Sequence, residues 1–136
     1  MLHMKEAEKP DEIEFLEGGN YLSLATLKKS GEYVATPVWF APDGDSYYLF
    51  SAGNAGKTKR LRNFSQCRVA ACTMRGIVTG DWLEADGYLL DTEEDNKSAL
   101  AALRRKYGWQ MKLTDTLSGL TGKMDARRYI RVTVRE

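Results

Sequence analysis

Turn signals recur along this chain at intervals too short to hold a crossover helix between most of its apolar runs, and that spacing limits the fold more than any single residue does. From Tyr21, Leu22 and Leu24 alternate with Ser23 and Ala25 until Lys28-Lys29-Ser30-Gly31 supplies turn chemistry. A second run, Tyr33 to Ala41, carries Val34, Val38, Trp39 and Phe40 and stops at Pro42-Asp43-Gly44-Asp45, a hairpin signal. Tyr47 to Ser51 returns from that turn. Further strands are expected over Cys67 to Met74 and Trp82 to Leu90, and a last one where Ile130, Val132 and Val134 alternate with Tyr129, Arg131, Thr133 and Arg135. Parallel neighbours need long connections, whereas antiparallel neighbours are joined by hairpins. The strand order therefore predicts a mainly β, α+β architecture: six antiparallel strands closed toward a barrel, with flanking helices.

The helical segments are fewer and differently marked. Pro10, then Ile13 and Leu16 three apart, then Gly18-Gly19, describe an N-terminal helical arm over residues 1–19. Lys57 to Phe64 reads as two helical turns. Asp91 with Glu94, or Thr92 with Asp95, can form a capping box ahead of Leu100, Leu103 and Tyr107, and Gly108 ends that helix. The stretch from Trp109 to Met124 has no decided pattern. With 136 residues the chain fits one domain, residues 1–136. Pro37 is the exception within its strand. It lends no N–H to a ladder, so it belongs at an edge, at a bulge, or where a ligand replaces a neighbour.

Composition excludes several functions. A formal net charge of +1 with 29% charged residues offers no broad basic surface for nucleic acid or anionic lipid. No apolar run approaches the roughly 20 residues of a membrane span. Charges are scattered through Met1 to Glu17, so no export signal is read there and a cytoplasmic location is expected. Cys67 and Cys72 lie five apart in a strand, on opposite faces, and are read as packing thiols. No metal site is expected, and His3 is the only histidine, which removes triads built on an imidazole. Glu93, Glu94 and Asp95 are explained by the helix dipole. No catalytic residue is assigned.

The segment Ser51-Ala52-Gly53-Asn54-Ala55-Gly56-Lys57-Thr58-Lys59-Arg60-Leu61-Arg62-Asn63 is the sharpest local feature: a small-residue loop leaves a strand and enters a basic helix. A helix N-terminus offers unpaired N–H groups, and Lys57, Lys59 and Arg60 add charge, so the segment can seat a phosphate. A solvated basic face is one competing reading. A P-loop is the second competing reading, and against it stand Ser51 where its first glycine would fall and a hairpin-rich order that contradicts a parallel sheet. Trp39, Phe40, Tyr47, Tyr48 and Phe50 are read chiefly as core or interface. A phosphate cradle beside aromatic strands, without an acid–base constellation, suggests that a cofactor does the chemistry.

Ala35-Thr36-Pro37-Val38-Trp39-Phe40, Asp43-Gly44-Asp45, Gly56 to Asn63, Arg68-Val69-Ala70-Ala71-Cys72 with Arg75-Gly76, and Arg104-Arg105-Lys106-Tyr107-Gly108 together resemble the pyridoxamine 5'-phosphate oxidase-like split-barrel superfamily, and within it the F420-dependent branch. The resemblance implies an FMN-binding type of split barrel that works as a homodimer with its cofactor between subunits. It implies a ring site near Pro37, Val38 and Trp39, and a phosphate and tail along Ser51, Gly56, Lys57, Thr58, Lys59, Arg60 and Asn63, with Arg75 contributed by a partner subunit. The activity implied is hydride transfer between F420 and an electron-poor small-molecule acceptor. FMN is the alternative cofactor, and a flavin- or tetrapyrrole-binding protein without turnover is the alternative function.

Overall fold

The computed structural model describes residues 16–52, 55–108, 110 and 127–135. Its strands are β1 (Tyr21–Leu27), β2 (Tyr33–Val38), β3 (Phe40–Asp43), β4 (Ser46–Ala52), β5 (Gln66–Cys72), β6 (Leu83–Leu89) and β7 (Arg127–Val134), and its helices are α1 (Gly56–Asn63) and α2 (Glu93–Tyr107). All pairings are antiparallel, and the sheet runs β2-β1-β5-β6-β7-β4-β3. The seventh strand arises because the run from Tyr33 to Ala41 breaks at Trp39. β2 and β3 lie at opposite ends of the sheet order yet are consecutive in the chain. The sheet must therefore curl until its edges meet, which makes a half-open barrel with its seam at Trp39.

Strand alternation sorts the side chains into two cores. Leu22, Leu24, Phe40, Leu49, Val69, Ile130 and Val132 fill the inside of the curl, and Leu61 of α1 closes one end against them. The outer face of β3, β4 and β7 offers Ala41, Tyr48 and Tyr129, which α2 covers with Ala99, Ala102, Leu103 and Tyr107. Thr92 caps α2, its hydroxyl accepting the Asp95 N–H at 3.1 Å, and Gly108 follows its last turn. Cys67 is buried inside and Cys72 half-buried, and both are free thiols, as their odd spacing requires. Burial pushes the Cys67 thiol up to about 12.

Of the arm read over residues 1–19, the described part is its end, where Leu16 is buried in the inner core and Glu17 accepts a hydrogen bond from the Tyr47 hydroxyl at 3.0 Å. The rest of the arm, and the undecided stretch from Trp109 to Met124 apart from Gln110, lie outside the described residues. Among the described residues no helix is long and apolar enough to cross a membrane, and no group of acidic, cysteine and histidine side chains could hold a metal ion.

Candidate functional site

A cavity of about 340 Å³ opens at the seam, lined by Tyr21, Pro37, Val38, Trp39, Phe50, Ser51, Ala55 and Lys57. This volume is at the small end for a cofactor-sized site. The lining comes from the points where the fold changes direction: the start of β1, the β2–β3 break, the end of β4 and the entry into α1.

One end of the cavity is aromatic. Trp39 stacks on Tyr107 of α2 at 4.4 Å between centroids with 11° between planes, and meets Phe50 edge-on at 6.3 Å. Behind Phe50 lies the Arg127 guanidinium, 4.6 Å from the ring centroid. Pro37, exposed on the sheet's edge strand β2, has the Thr73–Gly76 turn against it: a Cβ on Gly76 would stand 3.6 Å from the proline ring. Gly76 adopts φ +87°, a backbone conformation that other residues rarely take. The Arg75-Gly76 turn thus packs beside the site of its own chain, and Arg75 itself is exposed.

The other end is polar and short of negative charge. α1 has no acidic residue in its first turn, and its N-cap, Ala55, has no side chain to satisfy the free N–H groups. Burial, reinforced by the charge of Arg60, holds the Lys57 amine below the ordinary lysine range. Ser51 is 6% exposed, and its buried hydroxyl has no hydrogen-bond partner. A buried hydroxyl without a partner is costly, and this one sits in the cavity wall beside a cation and an open helix end.

The remaining residues of the expected cradle are not among those that line the cavity. The side chain of Arg60 folds back over Gly56, so close that a Cβ there would meet its guanidinium at 2.7 Å, and its Nε donates to the Thr26 hydroxyl at 2.6 Å. Thr58 is fully buried and engaged within the protein. Lys59 and Asn63 are exposed and do not line the cavity, with Asn63 in the last turn of α1. Tyr21 and Phe50 line the cavity although sequence reasoning gave them no site role. Phe50 carried a usable signal, since it precedes Ser51 at the mouth of the basic loop. Tyr21 carried none, because only the curl brings the start of β1 to the seam.

A half-open antiparallel barrel, with a seam pocket lined by aromatic side chains together with Ser51 and Lys57, defines the split-barrel class. Comparison with known families places the chain within it: a family model described as pyridoxamine 5'-phosphate oxidase matches residues 10–136, and the chain belongs to that family. Solved structures agree in fold. HutZ, described as the heme storage protein of Vibrio cholerae, is 15% identical with a TM-score of 0.68, over 93% of this chain and 89% of that one. A Bacteroides thetaiotaomicron protein provisionally linked to 5-nitroimidazole antibiotic resistance is 12% identical with a TM-score of 0.69, over 94% and 80%. A Clostridium acetobutylicum protein related to general stress protein 26, of the pyridoxinephosphate oxidase family, is 11% identical with a TM-score of 0.64, over 91% and 81%. A search of curated proteins finds no match.

Proposed function

We propose that the protein is an oxidoreductase that binds a phosphorylated deazaflavin or flavin in the seam pocket and passes a hydride between it and a small electron-poor organic acceptor. F420 is the first cofactor to test, and FMN is the alternative. The observation that carries the reading is that one cavity is lined by the buried, unpartnered Ser51 hydroxyl, by Lys57 in the first turn of α1, and by the aromatic rings of Trp39 and Phe50. A planar ring bearing a phosphate matches both ends at once.

When bound, such a group supplies the hydride chemistry. The chain's own residues do the rest. Lys57, Ser51 and the first N–H groups of α1 hold the phosphate, Trp39 and Phe50 bound the ring, and Val38 and Tyr21 keep that part of the pocket apolar. Pro37 has no N–H, so at that position edge strand β2 offers no backbone donor to compete for the ring or its acceptor.

The reading includes a cytoplasmic homodimer. Met74, Ile77 and Trp82 are exposed on the excursion between β5 and β6, next to the turn that packs on Pro37, and a second copy covering them would also wall the pocket. A tetrapyrrole-binding function is less favoured by the residues, since His3 is the chain's only imidazole. Titration with F420, FMN and riboflavin, followed by fluorescence, tests the proposal. Tighter binding of a phosphorylated cofactor than of riboflavin supports it, and binding of none of them overturns it.

A further inference from the structure

Tyr107 lies in the last turn of α2, outside the cavity lining, yet it contacts both the entry to β1 and the β2–β3 break at the seam. Its hydroxyl accepts the Phe40 N–H at 2.8 Å. Its single proton is shared between two carbonyls, those of Asn20 at 2.7 Å and Phe40 at 2.9 Å. Asn20 immediately precedes β1 and Phe40 opens β3, so one buried oxygen ties together two strands that have four others between them in the sheet order. The ring of the same residue lies flat on Trp39, the residue where the chain leaves one sheet edge for the other.

From this geometry we infer that Tyr107 is a positioning residue for the cofactor ring: it fixes the plane of Trp39, and through it the aromatic wall of the pocket. Three constraints combine. The stack occupies one indole face, so a ligand meets only the other face or the edge. The hydrogen bonds pin the hydroxyl end of the tyrosine ring, so that the ring cannot slide along α2 or swing away from the seam, because the oxygen must stay within reach of three backbone groups. Trp39 lies between strands and has no ladder of its own to hold its backbone in register. Its orientation is then set by Tyr107 on one side and the edge of Phe50 on the other.

The inference rests on the cofactor reading, and the two fail in different ways. In protein whose other tryptophans are replaced (Trp82→Phe, Trp109→Phe), Trp39 alone reports the indole's mobility without ligand. There Tyr107→Phe, which keeps the ring and drops the hydroxyl, should lower Trp39 anisotropy and raise its quenching by acrylamide. In titrations, Tyr107→Phe should weaken FMN and riboflavin by the same factor, about tenfold, and likewise F420 and its riboside lacking the phosphate tail, because the lesion is at the ring end. Thr92→Ala loosens the same helix from its far end, about 22 Å away by helix rise, and should leave all four affinities within twofold. In a Trp39→Ala background, Tyr107→Phe should change affinity less than twofold.

Unchanged Trp39 anisotropy and affinity in Tyr107→Phe would overturn the inference, as would an equal loss from Thr92→Ala. Loss confined to the phosphorylated ligands would overturn it too. If the wild type binds no flavin or deazaflavin, the cofactor reading falls, and the ligand-free Trp39 measurement still decides whether Tyr107 holds the indole.

Discussion

Lys57 and Arg60 are both cations of one short helix, yet they do different work. Lys57 lines the cavity and has no carboxylate partner among the described residues, whereas Arg60 is spent on the Thr26 hydroxyl. Lys57→Ala is therefore expected to weaken a phosphorylated cofactor at least tenfold, to leave riboflavin unchanged, and to leave Tm within a degree or two, as read by parallel titration and thermal melts. Arg60→Ala should do the reverse: it strips the Thr26 hydroxyl of a charged donor and costs about 1.5 kcal/mol in denaturant unfolding, with a small change in affinity. Ser51→Ala should cost affinity for the phosphorylated cofactor and raise stability slightly, because it removes a buried hydroxyl that has no partner. From sequence alone Lys57, Lys59 and Arg60 are equivalent charges on a helix. Which of them faces the pocket depends on where β1 and β4 place Thr26 and Ser51 relative to α1, and no local pattern encodes that.

At the scale of elements, α2 was legible almost to the residue. Thr92 was one of two capping choices, and it is the one that caps, with Glu93, Glu94 and Asp95 in the first turn and Arg104, Arg105 and Lys106 in the last, each set matched to the helix dipole. Thr92→Ala should cost about 1 kcal/mol and lower Tm by roughly 4 °C, measured by circular dichroism. The break at Trp39 was not legible, because Tyr33 to Ala41 reads as one β-prone run with a proline in it. Pro37 hinted at an edge. Only the need for β2 and β3 to serve opposite edges of one sheet turns that run into two strands and makes a pocket between them.

For the whole molecule, burial of titratable groups gives a pH signature. Burial lowers the Lys106 amine from an ordinary 10.5 to about 8, against an opposing pull from Glu17, and the amine lies 3.3 Å from the centroid of the Phe40 ring with no hydrogen-bond partner. The unfolded chain therefore holds that proton more tightly than the folded one, and unfolding takes up a proton between pH 8 and 10.5. Its contribution to stability rises with pH across that window. Cys67 acts oppositely: its thiol moves from 9.0 to about 12 on folding, so its contribution is whole below 9.0 and falls as pH climbs toward 12. The comparison with Lys106→Met separates the two, and the Tm of wild type relative to that variant should rise from pH 7.5 to 10. The proposed dimer is tested at the same scale: the wild type should elute as a dimer on sizing chromatography, and Ile77→Asp with Trp82→Asp should elute as a monomer.

What this sequence determined by itself was the alphabet of the fold: antiparallel strands from turn spacing, α2 from its cap and stripe, free thiols from an odd interval, and a short basic helix that follows a small-residue loop. These follow from interactions within a few residues, where period and propensity act directly. Tertiary structure decided the rest. It brought Tyr21, Trp39, Phe50, Ser51 and Lys57 around one cavity, tied Arg60 to Thr26, and set Tyr107 against Trp39. Those juxtapositions follow from the closure of the sheet on itself, which depends on how all seven strands twist and pair together and not on any one stretch of chain.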